Sequence, residues 1–184
     1  MKITKIEPFI LHVPIAQKQI ADATNSISHW GIVGAKITTN NEIIGYGYTA
    51  THAQATGDRA IANVIADALA PQIIGQNPIE VNKLWHKLYN QANLRWVGRA
   101  GIVHLAIGAI DIALWDIRAK MAEQTLWQHL GGSTCDELEA YNTDIGWLSN
   151  PIESLIAQAQ NAVNQHGFRR IKLKVGQKNP AADV

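Results

Sequence analysis

Two lysines spaced two positions apart, Lys172 and Lys174, are the residues of this chain best suited to chemistry. They lie in the run Phe168-Arg169-Arg170-Ile171-Lys172-Leu173-Lys174-Val175. Side chains alternate along a strand, which puts Arg170, Lys172 and Lys174 on one face and Ile171, Leu173 and Val175 on the other. The two lysine Cα atoms should then be roughly 6–7 Å apart. Each cation disfavours protonation of the other, and burial acts in the same direction. A lysine held near neutrality can serve as a general base at physiological pH, and the second cation can hold a carboxylate. The plainer alternative is a solvated edge strand with alternating polar residues. The preceding pattern argues against that alternative, because a helix returning to a strand suggests a parallel setting, where both faces are normally buried.

Several elements must position this pair. Leu138–Asn142 reads as a short strand. Asn150-Pro151-Ile152-Glu153 then offers an N-cap, an N1 proline and an acidic third position, close to a capping box. The helix it opens carries Leu155, Ile156, Ala159 and Val163 and closes at His166-Gly167. Strand, helix and strand with short links make one βαβ unit, which cannot close a barrel by itself. Asn179-Pro180 resembles the cap of a further helix, so the chain reads as truncated at Val184.

Upstream, residues 1–50 suggest a small antiparallel sheet. Ile3–Val13 forms one extended segment, and Gly31–Thr38 and Glu42–Thr49 flank Asn40-Asn41, a pair that tolerates the positive φ of a tight turn. Between them, Pro14–Ser28 is polar, aperiodic and long for a connection, as functional lids often are. Helical periodicity fills residues 57–130. Ile61, Val64, Ile65 and Leu69 end at Pro71, and Asn77-Pro78 opens a helix carrying Leu84, Trp85 and Leu88. Ile102–Met121 gives the longest helix, with a wide apolar face. Leu130-Gly131-Gly132 ends the helical run.

Composition narrows the class. The 184 residues are 47% hydrophobic and 17% charged with net charge +1, a globular balance without a basic patch for nucleic acid. Cys135 is the single cysteine, so no intrachain disulfide can form and a cytoplasmic setting is expected. The apolar run Phe9–Ile15 is broken by His12 and Pro14 and does not read as a signal peptide. No apolar run approaches the roughly 20 residues that span a bilayer. The seven histidines show no helical metal-binding spacing.

Ile171-Lys172-Leu173-Lys174-Val175-Gly176 resembles the Lys-x-Lys motif on the second barrel strand of the mandelate racemase branch of the enolase superfamily. Further segments resemble the same family in the same order. Gly45-Tyr46-Gly47-Tyr48-Thr49 is similar to the end of its N-terminal hairpin. Gly98-Arg99-Ala100-Gly101 and Ala109–Asp116 are similar to its long capping-domain helix, and Leu126–Gly132 to the crossing into the barrel. Tyr141–Leu148 is most similar to acid-sugar dehydratases.

The resemblance implies an α+β capping domain, an antiparallel sheet plus helical bundle, over residues 1–125. Residues 126–184 would then begin a modified (β/α) barrel, truncated after its second strand. It implies proton abstraction α to a carboxylate, with Lys174 as the base and Lys172 lowering its pKa. It further implies Mg²⁺, a sugar acid or other α-hydroxy carboxylate as substrate, and a homo-oligomer. The acidic metal ligands of the family belong to the third, fourth and fifth barrel strands, and its opposing His/Asp pair comes later; none falls within these residues. Asp111 and Asp116 sit on the capping helix and are not substitutes.

Two capping-domain loops of the family correspond to Pro14–Ser28 and Thr49–Asp58, so Tyr48 and His52 are candidate substrate contacts. Sheet packing for Tyr48 and simple exposure for His52 are the alternatives. Asp144 and Trp147 follow the first barrel strand, where barrel sites form; a turn residue and a packing aromatic are their alternatives. Trp85 and Trp115 are expected to pack, His86 and His104 to take packing or surface roles, and Arg99 to bridge the capping helix to the barrel or to a subunit contact. The functional expectation is a Mg²⁺-dependent dehydratase in the whole enzyme, with this chain inactive alone. A racemase or epimerase, or a non-catalytic capping module, is the alternative.

Overall fold

The computed structural model describes residues 1–16, 19–98, 100–132, 137–177, 179 and 181. The chain divides into two compact units, 1–13 with 30–133 and 14–29 with 134–184.

The first unit is a three-stranded sheet under a helical layer. Strands β1 (Ile3–Pro14), β4 (His29–Thr39) and β5 (Ile44–Thr51) lie in the order β1-β4-β5. β4 and β5 are antiparallel, with Ala35 opposite Gly47 and Ile37 opposite Gly45. These four residues face α5 (Ile102–Met121), whose range matches the sequence expectation. A Cβ on Gly47 would lie 2.1 Å from the Ala109 carbonyl oxygen, and one on Gly45 2.2 Å from that of Ala113. Glycine therefore lets the helix backbone approach the edge strand. Asp116 fastens the same edge: its Oδ2 accepts from the Tyr46 N–H at 2.9 Å and from Lys120 Nζ at 2.6 Å. Lys120 Nζ also donates to the Ile44 carbonyl. The acidic pair on this helix thus includes one structural residue. Burial raises the pKa of the other, Asp111, above the usual carboxylate range.

The core joins Val33, Ala35 and Ile37 of β4 to Ala106, Ile110, Ala113, Leu114 and Ile117 of α5, all fully buried. Helices α1 (Ala55–Asn63), α2 (Ala70–Ile73) and α3 (Val81–Tyr89) add Ile61, Ile73, Val81, Leu84 and Leu88. Trp85 stacks on Tyr89 at the margin of this core, and His104 meets the Tyr89 ring edge-on. Trp115, half-buried, carries the Arg118 guanidinium over its ring.

Four local expectations are corrected. The turn between β4 and β5 places its positive φ at Glu42, at 64°, rather than at either asparagine. Helix 55–73 does not stop at Pro71. A π-helical segment, Val64–Leu69, runs between α1 and α2, and the Ala70 N–H bonds five residues back to Ile65. The widened turn accommodates a residue without an N–H donor. Asn77 caps only a turn, accepting from the Ile79 N–H at 3.3 Å; α3 begins four residues later with Glu80 as its N-cap. The segment 49–58 is largely regular structure, since β5 continues to Thr51 and Gln54 Oε1 caps α1 at the Gly57 N–H. Arg99 lies outside the described residues. Helix α4 (Ala92–Val97) precedes it, and α6 (Leu126–His129) ends at Gly131 and Gly132, both with positive φ.

The second unit holds α7 (Ile152–His166) and the segment 14–29. α7 begins after Pro151 without a side-chain cap, because the Asn150 amide turns instead to the Ile145 carbonyl. It ends as expected at Gly167, whose φ is 69°. The strands expected at 138–142 and 168–175 shrink to a single parallel bridge, Asn142 with Ile171. Their apolar residues lack cover: Leu138 is 89% exposed and Val175 68%. The polar loop Pro14–Ser28 contains a two-stranded hairpin that the sequence pattern did not reveal, β2 (Ile20–Ala21) with β3 (Ser26–Ile27).

Candidate active site

The position of Lys174 is set by backbone pairing around Gly146. Asn142 donates to the Arg170 carbonyl at 3.0 Å, Lys172 N–H to the Asn142 carbonyl at 2.8 Å, and Lys174 N–H to the Gly146 carbonyl at 2.7 Å. A Cβ on residue 146 would stand 2.1 Å from the Lys172 carbonyl oxygen, so only glycine permits this approach. The Asn142 side chain accepts from the Asp144 N–H at 2.9 Å and thereby turns the chain toward Trp147.

Lys174 Nζ sits 4.7 Å above the Trp147 ring. Trp147 in turn packs against Ile15, Ile20 and Ile27, which are buried in the hairpin segment. Backbone contacts fix that segment to the turn after Gly146. Leu148 N–H donates to the Ala21 carbonyl at 2.9 Å, and Ala21 N–H to Ser149 Oγ at 3.3 Å.

Burial depresses the Lys174 pKa, and a side-chain hydrogen bond and positive charge from Lys172 depress it further; the Asp22 carboxylate opposes them. Asp22 is itself kept below the usual carboxylate range by the backbone N–H groups of Thr24 and Asn25, at 2.9 and 2.7 Å. The expectation that both lysines lie on a buried face is corrected. Lys174 is half-buried, whereas Lys172 is exposed, since the described residues supply no strand to cover that side.

The structure therefore brings Lys172, Lys174 and Trp147 together. Asp144 lies exposed in the adjoining Asn142 turn. Tyr48 and His52 belong to the first unit. Tyr48 projects from β5 opposite Gly34 and is 56% exposed. His52 meets Trp30 edge-on at 5.9 Å, and both rings line a shallow depression with Ala50, Thr51 and Leu105. Sequence reasoning missed Asp22 and Gly146. The run Asp22-Ala-Thr-Asn25 is a turn signature that could have located the first, while the second depends on a tertiary approach. Among the described residues no three His, Cys, Asp or Glu side chains gather as a metal site, so the residues present do not fit Mg²⁺. Nor is any helix among them long and apolar enough to cross a membrane.

An antiparallel sheet under a helical layer is the architecture of an enolase-superfamily capping domain. The sequence model of the mandelate racemase/muconate lactonizing enzyme N-terminal domain matches residues 5–131, and the chain belongs to that family. It is 34% identical over 182 residues to L-talarate/galactarate dehydratase of Salmonella typhimurium, covering 95% of this chain and 42% of that enzyme. The crystal structure of that dehydratase with Mg and L-lyxarohydroxamate superposes with a TM-score of 0.87 at 28% identity, covering 99% of this chain and 46% of the other. L-Talarate dehydratase from Polaromonas sp. JS666, complexed with Mg and L-glucarate, gives 0.83 at 35% identity, covering 99% and 48%. A racemase from Streptomyces coelicolor with bound magnesium gives 0.89 at 27%, covering 98% and 49%. The chain thus spans less than half the length of these relatives.

Proposed function

We propose that the chain supplies the capping domain and first barrel strands of a Mg²⁺-dependent acid-sugar dehydratase, residues 1–125 and 126–184 respectively. Lys174 removes the proton α to the substrate carboxylate, and Lys172 holds that carboxylate while lowering its neighbour's pKa. The observation that carries this reading is the half-buried Lys174 amine, with its depressed pKa, beside an exposed Lys172. A depressed pKa is what a lysine base needs at neutral pH.

The substrate is a sugar acid, as the ligands of the two dehydratase structures suggest. Trp147, Asp144, Tyr48 and His52 contact it in the assembled protein. The metal is held by residues outside this chain. By itself the chain does not catalyse; the whole protein acts in the cytoplasm as a homo-oligomer. The magnesium-bound racemase favours racemisation as the second reading, since both reactions begin with the same proton.

A chimera tests the base. Residues 1–184 are fused to the remaining barrel of the Salmonella dehydratase and incubated with Mg²⁺ and galactarate in deuterium oxide. The α-proton should exchange, and Lys174→Ala should abolish exchange while the fold remains intact. Undiminished exchange in a folded Lys174→Ala chimera would overturn the assignment.

A further inference from the structure

Trp147 makes two kinds of contact within the second unit. One is with the amine of Lys174, whose Nζ stands 4.7 Å from the ring centroid. The other is with Ile15, Ile20 and Ile27, the buried apolar residues of the hairpin segment. Lysine carries its charge on a flexible four-carbon stem, so its Nζ takes a fixed position only where something holds it. The face of an indole is electron-rich and attracts an ammonium group within about 6 Å of its centre. Lys174 meets that condition, whereas Lys172, two positions before it, is exposed.

The ring is itself held in place. Leu148 N–H donates to the Ala21 carbonyl at 2.9 Å and Ala21 N–H donates to Ser149 Oγ at 3.3 Å, so the backbone that follows the tryptophan is tied to the hairpin. Ile15 N–H donates to the Ser28 carbonyl at 2.9 Å and closes the base of the same segment. A second point of approach lies just beyond the lysine. A Cβ on Gly176 would stand 2.9 Å from the Cβ of Ala23, in the hairpin turn. The hairpin segment therefore meets the neighbourhood of Lys174 twice, through Trp147 and through Ala23.

We propose that Trp147 is the positioning residue of Lys174, its ring face holding Nζ where the amine acts, and that the hairpin segment sets the ring. This role deepens the assignment of Lys174 as the base and rests on it for its consequence in catalysis. A lysine that removes an α-proton becomes an ammonium ion, and the ring face stabilises that charge as it forms. Among the described residues, the charged groups acting on the nitrogen are Lys172 from its own run and Asp22 from the hairpin turn; Asp144, in the Asn142 turn, is exposed. Lys172 disfavours the ammonium, while Trp147 and Asp22 favour it. Residues 15–28 thus act on the reaction by way of the lysine.

NMR of the 184-residue chain, with neither substrate nor metal added, tests this role. The indole ring current should displace the Lys174 Hε resonances upfield. Trp147→Leu should abolish the displacement and Trp147→Phe should keep part of it. Ile20→Ala leaves both residues in place but removes packing from the ring, and it should weaken the displacement too. A polyfluorinated tryptophan at position 147 keeps the shape of the ring while withdrawing charge from its face. The Lys174 ¹³Cε titration midpoint should then fall, which the loss of a merely structural contact would not cause. In the chimera, the same replacement should move the acid limb of the α-proton exchange profile to lower pH. The fluorinated chain keeps its packing, so its outcome stands even where Trp147→Leu disturbs the hairpin. Lys174 Hε resonances without upfield displacement, or a midpoint unmoved by fluorination, would overturn the proposal. A displacement untouched by Ile20→Ala would overturn the part given to the hairpin. Undiminished exchange in the Lys174→Ala chimera sinks the base assignment alone, because the NMR readout needs no reaction.

Discussion

His12 Nε2 lies 2.7 Å from Asp58 Oδ2, tying strand β1 to the first turn of α1. Asp58 is 1% exposed, and its Oδ1 has no hydrogen-bond partner among the described residues. Among the described residues, the histidine is thus the one side chain bonded to that buried carboxyl group. His12→Ala should destabilise the chain by about 2 kcal/mol, the usual cost of stranding a buried polar group. Urea denaturation measures it. Asp58→Ala in the His12→Ala background should add much less than it does alone, because the pair is lost only once.

Gly47 should tolerate no side chain. Its Cβ would stand 2.1 Å from the Ala109 carbonyl and 2.5 Å from the Ala113 N–H nitrogen, both backbone atoms that cannot swing aside. Gly47→Ala should cost about 3 kcal/mol, at the upper end of overpacking penalties. A thermal melt would show it, with Gly57→Ala as a mild control, because that Cβ meets only the Gln54 side chain at 3.3 Å.

The charges around Lys174 act in opposite directions, which gives a signed pair of outcomes. Lys172 disfavours the ammonium, so Lys172→Met should raise the Lys174 pKa. Asp22 favours it, so Asp22→Asn should lower that pKa further. The ¹³Cε shift of Lys174, followed by NMR as a function of pH, should move its midpoint up in the first variant and down in the second. The amine of the unchanged chain should deprotonate at lower pH than an ordinary lysine.

Gly146 positions the lysine through backbone rather than side-chain contact. Gly146→Ala should disrupt the hydrogen bond from Lys174 N–H to the Gly146 carbonyl. Hydrogen exchange at the Lys174 amide should accelerate, while α5 amides keep their protection.

Much of the first unit was legible because its signals are local. The bounds of α5 follow from an apolar face sustained over 20 residues, and β4–β5 from alternation around a polar turn. Pro71 misled because its usual effect assumes a regular α-helix upstream, whereas a π-helical segment absorbs it. Asn77 and Asn150 were each drawn to a neighbouring turn instead of a helix terminus. The hairpin within 14–29 was illegible for a different reason. Its strands are two residues each, too short for a period, and they are held by Trp147 more than a hundred residues away. Among site residues, the partial cover of Lys174 by an indole was not legible, because Trp147 lies on a separate turn.

Segment 14–29 belongs to the second compact unit, although the residues on either side of it in sequence belong to the first. The polypeptide therefore visits that unit twice, and no single scission separates the pair. A gene fragment stopping at residue 125 would encode Ile15, Ile20 and Ile27 without the tryptophan that shelters them. Making the N-terminal portion autonomous would require polar replacements at those three isoleucines as well as a stop codon.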